Sequence, residues 1–347
     1  MKNSMSKILV TGGLGYIGSH TVVELHNQGY EITIVDDLSN TSLDVLERIN
    51  KITNSSINYV NLDLKNIQAT KTFISENNDI DGVIHFAASK AVGESVDNPL
   101  KYYINNISSL TNLLNELKDL NKKINFIFSS SATVYGKPIN VPITELEPIK
   151  NAESPYGNTK QIGEEIIRDL VNSNSNFKAI SLRYFNPIGA HLSAMIGELP
   201  IGVPQNLVPY ITQTAIGIRK ELTVFGNDYL TIDGSCLRDY IHVVDLAKAH
   251  IKSLDKLISN DDKNYYDTFN IGTGKGTSVL ELIKSFENVT GNKLNFKIGD
   301  RRKGDVAECF ADVSKANKFL NWNSEFSVED SLLSSWNWEK NINNEKL

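Results

Sequence analysis

Short apolar runs alternate with helical patterns through the first half of the chain, and this alternation limits the possible folds more than any other feature. A strand, a helix and a second strand in that order form a βαβ unit, which makes the strands parallel and places the helices on the faces of the sheet. Six such strands predict a doubly wound α/β sheet. The predicted strands cover residues 7–10, 32–35, 57–60, 82–86, 124–128 and 179–183.

Turn-forming residues accumulate after Arg183 and predict a domain boundary. Glycine and proline recur between residues 186 and 204, as is typical of loops. We predict a first domain at residues 1–185 and a smaller C-terminal α/β domain at 186–347, with the chain crossing back to the first domain near 239–252. The second domain is predicted to contain helices at 207–218 and 278–289 and strands at 222–225 and 294–298.

The charge and the cysteine content narrow the class of protein. The 347 residues carry a net charge of −6, which argues against a nucleic-acid surface. Cys236 and Cys309 lie far apart in the sequence, which makes a disulfide framework unexpected and favours a reducing compartment. The sequence has no signal-peptide core and no apolar span of membrane-crossing length. We expect a cytoplasmic protein with no nucleic-acid or membrane partner.

A glycine-rich segment follows the first predicted strand and opens a predicted helix that ends at Gly29. Glycine permits a tight turn and a close approach of the backbone to a pyrophosphate at a helix N-terminus. An ordinary turn is the alternative, but the strand-turn-helix context favours a Rossmann dinucleotide site. The glycines that fit G-x-G-x-x-G or G-x-x-G-x-x-G are Gly12, Gly13, Gly15 and Gly18.

Two adjacent carboxylates, Asp36 and Asp37, stand at the end of the second predicted strand. A carboxylate at this distance from the glycine segment accepts hydrogen bonds from the adenosine ribose and repels a 2′-phosphate, which predicts NAD rather than NADP. The alternative is a turn at the strand end, where aspartate is common. Asp63, after the third predicted strand, is a weaker candidate for an adenine contact.

Tyr156 and Lys160 have the spacing of a tyrosine base and its supporting lysine. Four residues place both side chains on one face of a helix, where the ammonium favours the phenolate over the phenol. Ser154 is predicted to cap this helix and Pro155 to occupy its first position. Two surface residues are the common alternative for this spacing. If Tyr156 takes and returns a proton, its pKa is expected near neutrality with NAD bound.

Ser131 lies at the end of the fifth predicted strand, where α/β sheets bind ligands, and its hydroxyl is expected to contact a substrate oxygen. A serine-rich turn accounts for Ser129 and Ser130. In this order, the glycine loop, acidic strand end, serine and Tyr/Lys pair resemble an extended short-chain dehydrogenase/reductase. More closely, the chain resembles the UDP-glucose 4-epimerase family in residues 11–20, 85–88, 90–95, 128–136, 182–187 and 238–243.

The resemblance implies a reaction with tightly bound NAD that interconverts UDP-galactose and UDP-glucose. Tyr156 would remove the C4 hydroxyl proton while hydride passes to the nicotinamide, and the 4-keto sugar would then take the hydride back on its other face. Lys160 would hold the nicotinamide ribose and Ser131 the O4 region. The implied NAD contacts are Gly12, Gly15, Tyr16, Ile17, Gly18, Asp36, Asp37, Asp63, Leu64, Phe86, Ala87, Lys90, Asn105, Ser130, Tyr156, Lys160 and Phe185.

The resemblance also implies a UDP-sugar site, most of it in the second domain. Arginine suits a diphosphate because its planar fork bonds two oxygens at once. Cys309 stands where some family members have a tyrosine that narrows the sugar pocket, so UDP-GlcNAc and UDP-GalNAc are hypothesised as further substrates; a small buried apolar residue is the alternative. The implied substrate contacts are Lys90, Ser131, Tyr156, Asn186, Asn206, Leu207, Thr223, Val224, Phe225, Arg238, Arg302, Asp305 and Cys309.

Other interpretations remain open. A nucleotide-sugar dehydratase of the same superfamily needs an Asp-Glu pair after the fifth strand, where this chain has residues 132–134, Ala-Thr-Val. A non-catalytic NAD-binding sensor would need neither Tyr156 nor Lys160. The apolar stripe at residues 104–120 is expected in the core or, as the resemblance implies, in a homodimer interface. No metal-ligand spacing is found, and the glycines at 272–276 lack P-loop spacing and predict a structural loop.

Overall fold

The computed structural model describes residues 6–120, 122–302 and 305–344. Its strands are β1 (Lys7–Thr11), β2 (Glu31–Asp36), β3 (Asn58–Asn61), β4 (Gly82–His85), β5 (Ile124–Ser129), β6 (Phe177–Tyr184), β7 (Asn186–Ile188), β8 (Leu222–Phe225), β9 (Leu237–Arg238), β10 (Tyr240–His242), β11 (Tyr266–Ile271), β12 (Thr277–Ser278), β13 (Phe296–Gly299) and β14 (Glu308–Cys309).

The helices flank and connect these strands. They are α1 (Tyr16–Asn27), α2 (Asp44–Thr53), α3 (Ile67–Glu76), α4 (Val92–Asp97), α5 (Pro99–Lys118), α6 (Pro155–Ser173), α7 (Leu207–Ala215), α8 (Val243–Ser259), α9 (Val279–Thr290), α10 (Ser314–Leu320) and α11 (Val328–Asn344), with a 3-10 helix at Ala132–Tyr135.

The main sheet has seven strands in the order β11-β6-β5-β4-β1-β2-β3. The pairings β1 with β2 and β4, β2 with β3, β4 with β5, and β5 with β6 are all parallel. The strand order from β3 to β6 is that of a doubly wound Rossmann sheet. The predicted fold class and all six predicted strands are therefore confirmed. The seventh strand, β11, was not predicted because polar residues interrupt its apolar pattern.

Two compact units can be distinguished in the chain. The first contains Gly136 and the described residues before it, Ile149–Arg183 and Ala247–Phe269; the second contains Lys137–Pro148, Tyr184–Leu246 and the described residues from Asn270 onward. Each unit has its own apolar core. Residues of β1, β4, β5, α5 and α6 form a core cluster of the first, while residues of α7, β8, α9 and α11 form a core cluster of the second.

Helix α5 divides the predicted apolar stripe into two parts. Leu110, Leu113 and Leu117 are buried in the core of the first unit. Ile104, at the other end of the stripe, is 59% exposed. The prediction of a core stripe is therefore confirmed for the second half of the helix and wrong for Ile104.

The predicted elements of the second half of the chain are also present, with different ends. α7 stops at Ala215 rather than residue 218, β8 has the predicted bounds, and β13 is displaced toward Gly299. Ser278 caps α9 instead of beginning it, because its hydroxyl accepts a hydrogen bond from the Glu281 nitrogen.

Candidate active site

The glycine-rich segment turns tightly between β1 and α1 in the first unit. Gly12 has φ +67°, and a Cβ on it would lie 2.8 Å from the Ala87 nitrogen. A Cβ on Gly18 would collide with the Gly12 carbonyl oxygen. Gly15 stands at the N-cap position of α1 without a capping side chain, so the N–H groups of the first turn point toward the loop. This cradle fits the pyrophosphate of a dinucleotide.

Asp36 joins the end of β2 to the glycine loop. Its Oδ2 accepts a hydrogen bond from the Leu14 nitrogen and its Oδ1 one from the Leu38 nitrogen, each at 3.1 Å. Burial raises the pKa of Asp36, although these two hydrogen bonds act to lower it. The Asp37 carboxylate instead accepts a hydrogen bond from the Ser39 nitrogen at 2.9 Å, which is the strand-end turn considered above.

Asp63 and Leu64 follow β3, the strand at the edge of the sheet. The exposed Asp63 carboxylate accepts a hydrogen bond from the Lys65 nitrogen at 2.9 Å, so this aspartate also forms a turn. The Leu64 side chain is buried in the core of the unit. The structure thus shows that Leu64 packs in the core. An adenine contact from Asp63 or Leu64 stays a prediction.

The loop after β4 runs beside the glycine loop, because β4 pairs with β1. The Phe86 nitrogen donates a hydrogen bond to the Thr11 carbonyl at 2.9 Å, and the Phe86 ring centroid lies 4.7 Å from that of His250. Ala87 approaches Gly12 as described above. The two loops thus meet at the point where the strand order reverses, which is where doubly wound sheets bind dinucleotides.

Lys90 and Asn105, which only the resemblance implied, lie on the same side of the first unit. The Lys90 ammonium is 5.8 Å from the centroid of the Tyr16 ring at the start of α1. The Asn105 amide donates a hydrogen bond to the Ser89 hydroxyl at 3.2 Å. Tyr16 and its neighbour Ile17 are half-buried. Lys90 therefore lies near the first turn of α1, and Asn105 on α5 is bonded to the loop that follows β4.

The predicted reacting group, Ser131, Tyr156 and Lys160, lies at the carboxyl end of β5 and the start of α6. Ser154 caps α6 as predicted, accepting a hydrogen bond from the Gly157 nitrogen at 3.2 Å. Tyr156 is 8% exposed and Lys160 4% exposed, so they are not surface residues. The Lys160 ammonium lies 5.8 Å from the centroid of the Tyr156 ring. Ser131, the N-cap residue of the 3-10 helix, accepts a hydrogen bond from the Thr133 nitrogen at 3.2 Å and lies near enough to Tyr156 to act on the pKa of its phenol.

Burial dominates the electrostatics of this group. It raises the pKa of Tyr156 to about 12, although Ser131 acts to lower it. Burial also lowers the pKa of Lys160 to about 7. Low-dielectric surroundings disfavour the charged form of both groups. The chain's own groups therefore do not supply the near-neutral phenol pKa that was expected with NAD bound.

A cluster of cationic and anionic groups lies in the second unit. The Arg238 guanidinium donates a hydrogen bond to Asp305 Oδ1 at 3.3 Å, and Arg302 donates one to the same oxygen at 3.0 Å. Asp305 thus holds two of the arginines that the resemblance assigns to a diphosphate. Arg301 instead pairs with Asp228 at 2.7 Å. The remaining member of the basic triplet, Lys303, and the following Gly304 lie outside the described residues.

The other predicted substrate contacts are distributed over β7, α7 and β8. Asn186 begins β7 and is exposed. Asn206 precedes α7, which begins at Leu207, and its amide donates a hydrogen bond to Glu198 at 2.6 Å instead of capping the helix. On β8, Phe225 is exposed and Thr223 half-buried, but the Val224 side chain is buried in the core of the second unit. A contact from Val224 is therefore restricted to its main chain. Phe185, assigned to NAD, is buried, and its nitrogen donates to the Ile271 carbonyl at 3.2 Å.

Cys309 lies on β14 directly beside Arg238 on β9 in the parallel register. Burial raises the pKa of the Cys309 thiol to about 11, although the Arg238 charge acts to lower it. The thiol is therefore neutral near pH 7 and offers a small, weakly polar surface. The Cys309 carbonyl accepts a hydrogen bond from the Asp239 nitrogen at 3.2 Å, which fixes the strand that carries it.

The second glycine cluster is held by a buried aspartate. The Asp239 carboxylate accepts hydrogen bonds from the Thr273 nitrogen at 2.7 Å and the Gly274 nitrogen at 3.0 Å. It also accepts one from the Ala311 nitrogen at 3.2 Å. The main-chain N–H groups of this loop are thus bonded to the protein's own carboxylate, as is expected of a structural loop.

Comparisons with known proteins agree with this geometry. The chain matches the family model described as GDP-mannose 4,6 dehydratase over residues 9–334. The UDP-glucose 4-epimerase of Bacillus subtilis (strain 168) is 49% identical over 340 residues, covering 98% of this chain and 98% of that protein. The chain belongs to the UDP-glucose 4-epimerase family.

Solved structures of UDP-glucose 4-epimerases have the same fold. The enzyme of Stenotrophomonas maltophila, with bound NAD and formylated UDP-arabinopyranose, has a TM-score of 0.94 at 44% identity and covers 99% of this chain and 100% of that one. The enzyme of Bifidobacterium longum, in complex with NAD+ and UDP, has a TM-score of 0.92 at 46% identity, covering 98% and 99%. The family resemblance seen in the sequence is confirmed.

The segment after Ser131 lacks the Asp-Glu pair that is expected in a nucleotide-sugar dehydratase. Ala132, Thr133 and Val134 lie in the 3-10 helix, and none of them carries an acid for removal of a C5 proton. The match to a model described as a dehydratase therefore reflects the shared superfamily fold rather than the chemistry of this segment.

Three polar residues near the reacting group were missed in the sequence. Asn106 accepts a hydrogen bond from the Ser89 nitrogen at 2.8 Å and donates to the Thr159 hydroxyl at 3.0 Å, so it links the loop after β4 to α6. Glu164 and Arg183 form a buried ion pair at 2.6 Å. Arg183 offered a signal, because it is a charged residue in a largely apolar strand, whereas Asn106 and Glu164 have polar neighbours in the sequence and offered none.

Within residues 6–120, 122–302 and 305–344, every helix is too short or too polar to span a lipid bilayer.

Proposed function

We propose that this chain interconverts UDP-galactose and UDP-glucose by transient oxidation at C4 of the sugar. The observation that carries the proposal is the buried group of Ser131, Tyr156 and Lys160 at the carboxyl end of β5, in the unit that contains the glycine cradle. A hydroxyl, a phenol and an amine in this arrangement can move one proton reversibly at a sugar hydroxyl. The family membership supports the same activity.

NAD suits the first unit, because the glycine cradle excludes side chains and Asp36 stands at the end of β2. When bound, NAD would supply a reversible hydride acceptor for C4 and a positive charge that favours the phenolate form of Tyr156. The Tyr156 oxygen removes the C4 hydroxyl proton and later returns it. Ser131 orients that hydroxyl, and Lys160 holds the nicotinamide ribose.

The second unit holds the uridine diphosphate. Arg238 and Arg302 bond its phosphate oxygens, and Asp305 bonds the ribose hydroxyls. Their mutual contacts at 3.0–3.3 Å support this assignment, since a carboxylate already keeps both guanidinium groups together. The first unit thus binds the dinucleotide, and the second unit binds the uridine diphosphate of the nucleotide sugar.

The decisive experiment uses the purified chain and UDP-galactose without added NAD. Formation of UDP-glucose is expected, because a cofactor that ends each turnover as it began need not be supplied. The products are separated by chromatography, and the NAD content of the protein is measured after denaturation. Protein that contains NAD but leaves UDP-galactose unchanged would overturn the proposal in favour of a non-catalytic sensor.

The same site is proposed to accept UDP-GlcNAc and UDP-GalNAc. Cys309 supports this, because a neutral thiol beside Arg238 takes less space than an aromatic side chain would. The additional acetamido group on C2 needs that space. Exclusion of N-acetylated sugars by the natural chain would overturn this extension and leave the main activity unaffected.

We further propose a cytoplasmic homodimer that serves galactose metabolism. Cys236 and Cys309 are both free, as expected in a reducing compartment.

Leu100 and Ile104 lie one turn apart on α5 and are 69% and 59% exposed, so they offer an apolar strip for a second copy. Light scattering should give the mass of a dimer for the natural chain and of a monomer for Ile104→Glu; a monomeric natural chain would refute the dimer.

A further inference from the structure

Three consecutive serines at the end of β5 each have a different partner. The Ser129 carbonyl accepts a hydrogen bond from the Lys160 ammonium at 2.6 Å. The Ser130 hydroxyl donates one to Glu164 Oε1 at 2.5 Å. The Ser131 hydroxyl accepts one from the Thr133 nitrogen at 3.2 Å and lies near enough to Tyr156 to act on the pKa of its phenol. Ser130, which lies between the other two serines, is therefore bonded to a carboxylate that is itself bonded to Arg183.

Glu164 follows Lys160 by one turn on the buried face of α6. Its carboxylate accepts two hydrogen bonds from Arg183 at the end of β6, from Nε at 2.9 Å and from Nη2 at 2.6 Å. Both side chains of this pair are only 5% exposed. Arg183 also donates to the Tyr135 hydroxyl at 3.1 Å, which connects the pair to the 3-10 helix after Ser131.

The charged and titratable groups around Lys160 come from several elements. Glu164 is the carboxylate that acts on Lys160, and it raises the pKa of that amine against the effect of burial. On β4, burial and the Lys160 charge both lower the pKa of His85. The groups that face Lys160 or Glu164 are Tyr156 on α6, His85 on β4, Arg183 on β6, Tyr135 on the 3-10 helix and Tyr266 on β11.

We propose that Glu164, held by Arg183, is a positioning residue for the reaction centre: through Ser130 it fixes the end of β5, and its negative charge keeps Lys160 protonated. A bidentate arginine prevents the carboxylate from rotating toward the lysine and forming a direct pair. The lysine therefore remains bonded to Ser129. This inference rests on the proposed function, because it assigns the purpose of the network to proton transfer at Tyr156.

Two substitutions separate charge from position. Glu164→Gln keeps the size of the side chain but removes its charge, so both limbs of the pH profile of kcat should move to lower pH, by about one unit. Ser130→Ala keeps the charge but releases the end of β5, so kcat should fall about 10-fold or more with unchanged limbs. The matched control is Ser253→Ala, another buried serine, whose hydroxyl donates a hydrogen bond to the Ala249 carbonyl within α8 at 2.8 Å.

A direct titration of Lys160 provides a readout other than activity. In protein labelled with ¹³C-lysine, the Lys160 Cε resonance is identified by its loss in Lys160→Met. It should titrate at lower pH in Glu164→Gln than in the natural chain, and at the same pH in Ser130→Ala. Unchanged Lys160 titration and unchanged pH limbs in Glu164→Gln would overturn the electrostatic part of the proposal.

Folding failure does not leave the proposal untested. If Glu164→Gln does not fold because Arg183 is left unpaired, the double variant Glu164→Gln/Arg183→Gln removes both charges and should show a lower titration of Lys160 by a smaller amount, because the opposing charge of Arg183 is lost as well. If neither folds, Ser130→Ala decides: natural kcat in that variant would overturn the positioning role. Absence of epimerisation in the natural chain would refute the proposed function alone, since the titration of Lys160 requires no turnover.

Discussion

The Lys160 ammonium donates a hydrogen bond to the Ser129 carbonyl oxygen at 2.6 Å. This contact anchors the lysine to β5, so it acts on Tyr156 through space and not as a direct hydrogen-bond partner. Burial raises the pKa of the phenol and lowers that of the amine, so it disfavours the charged form of both, while the Glu164 charge acts in the opposite direction on the amine. A usable base at Tyr156 therefore requires a further positive charge.

Tyr156 should titrate differently with and without NAD. Its pKa of about 12 should fall toward neutrality when the dinucleotide binds, because a nearby positive charge stabilises the phenolate. The difference in ultraviolet absorbance between the natural chain and Tyr156→Phe measures this titration. An unperturbed phenol in NAD-loaded protein would contradict the assignment of Tyr156 as the base.

Replacing the phenol should separate catalysis from cofactor binding. Tyr156→Phe is expected to retain NAD and to lose a factor of about 10²–10⁴ in kcat, as is typical when a general acid/base is removed. Turnover of UDP-galactose and NAD content are measured on the same preparation. A variant as active as the natural chain would favour the sensor interpretation.

The strands of the main sheet could be predicted from the sequence, but the pKa shifts in the site could not. Six strands and the cap at Ser154 follow from local patterns, since apolar runs and capping residues act over a few positions. The partner of Glu164 lies 19 residues away, and no local pattern connects them. The direction of the Tyr156 pKa was likewise not predictable, because burial depends on β4, β5 and α6 packing together.

The glycine loop should tolerate no side chain at Gly18. Gly18→Ala places a Cβ against the Gly12 carbonyl, so the loop must open and the NAD content of the purified protein should fall. Gly29→Ala is the matched control: its φ of +81° strains an alanine, at a cost of about 1–2 kcal/mol, but no atom lies within 4 Å of the new Cβ. Equal NAD content in both variants would show that the cradle does not bind the pyrophosphate.

His85 should make the protein sensitive to acid. Burial, with the Lys160 charge, lowers its pKa from 6.5 to about 3, and its Nδ1 lies 2.7 Å from the Thr11 hydroxyl. Between these pH values the unfolded chain binds a proton that the folded chain does not, so stability is complete above pH 6.5 and falls as the pH drops toward 3. His85 therefore contributes at most about 1.4 kcal/mol per pH unit to the slope of the unfolding free energy against pH.

Denaturant unfolding at several pH values tests this dependence. His85→Gln should flatten the curve between pH 3 and 6.5, whereas the control His26→Gln, at a partly buried histidine of α1, should follow the natural chain. Parallel curves for His85→Gln and the natural chain would show that His85 does not titrate in this window.

Cys309 should decide whether the sugar site accepts an N-acetyl group. Cys309→Tyr adds an aromatic ring beside Arg238, on the strand that Asp239 holds in place, so the backbone cannot move aside easily. Turnover of UDP-GalNAc should fall far more than turnover of UDP-galactose, by about 10-fold or more, since steric exclusion of a group this size costs more than loss of one methylene contact. The ratio of the two kcat/KM values is the measurement, with Cys236→Ala as a control at the other free cysteine. Equal losses for both sugars would mean that position 309 supports the strand and does not face the substrate.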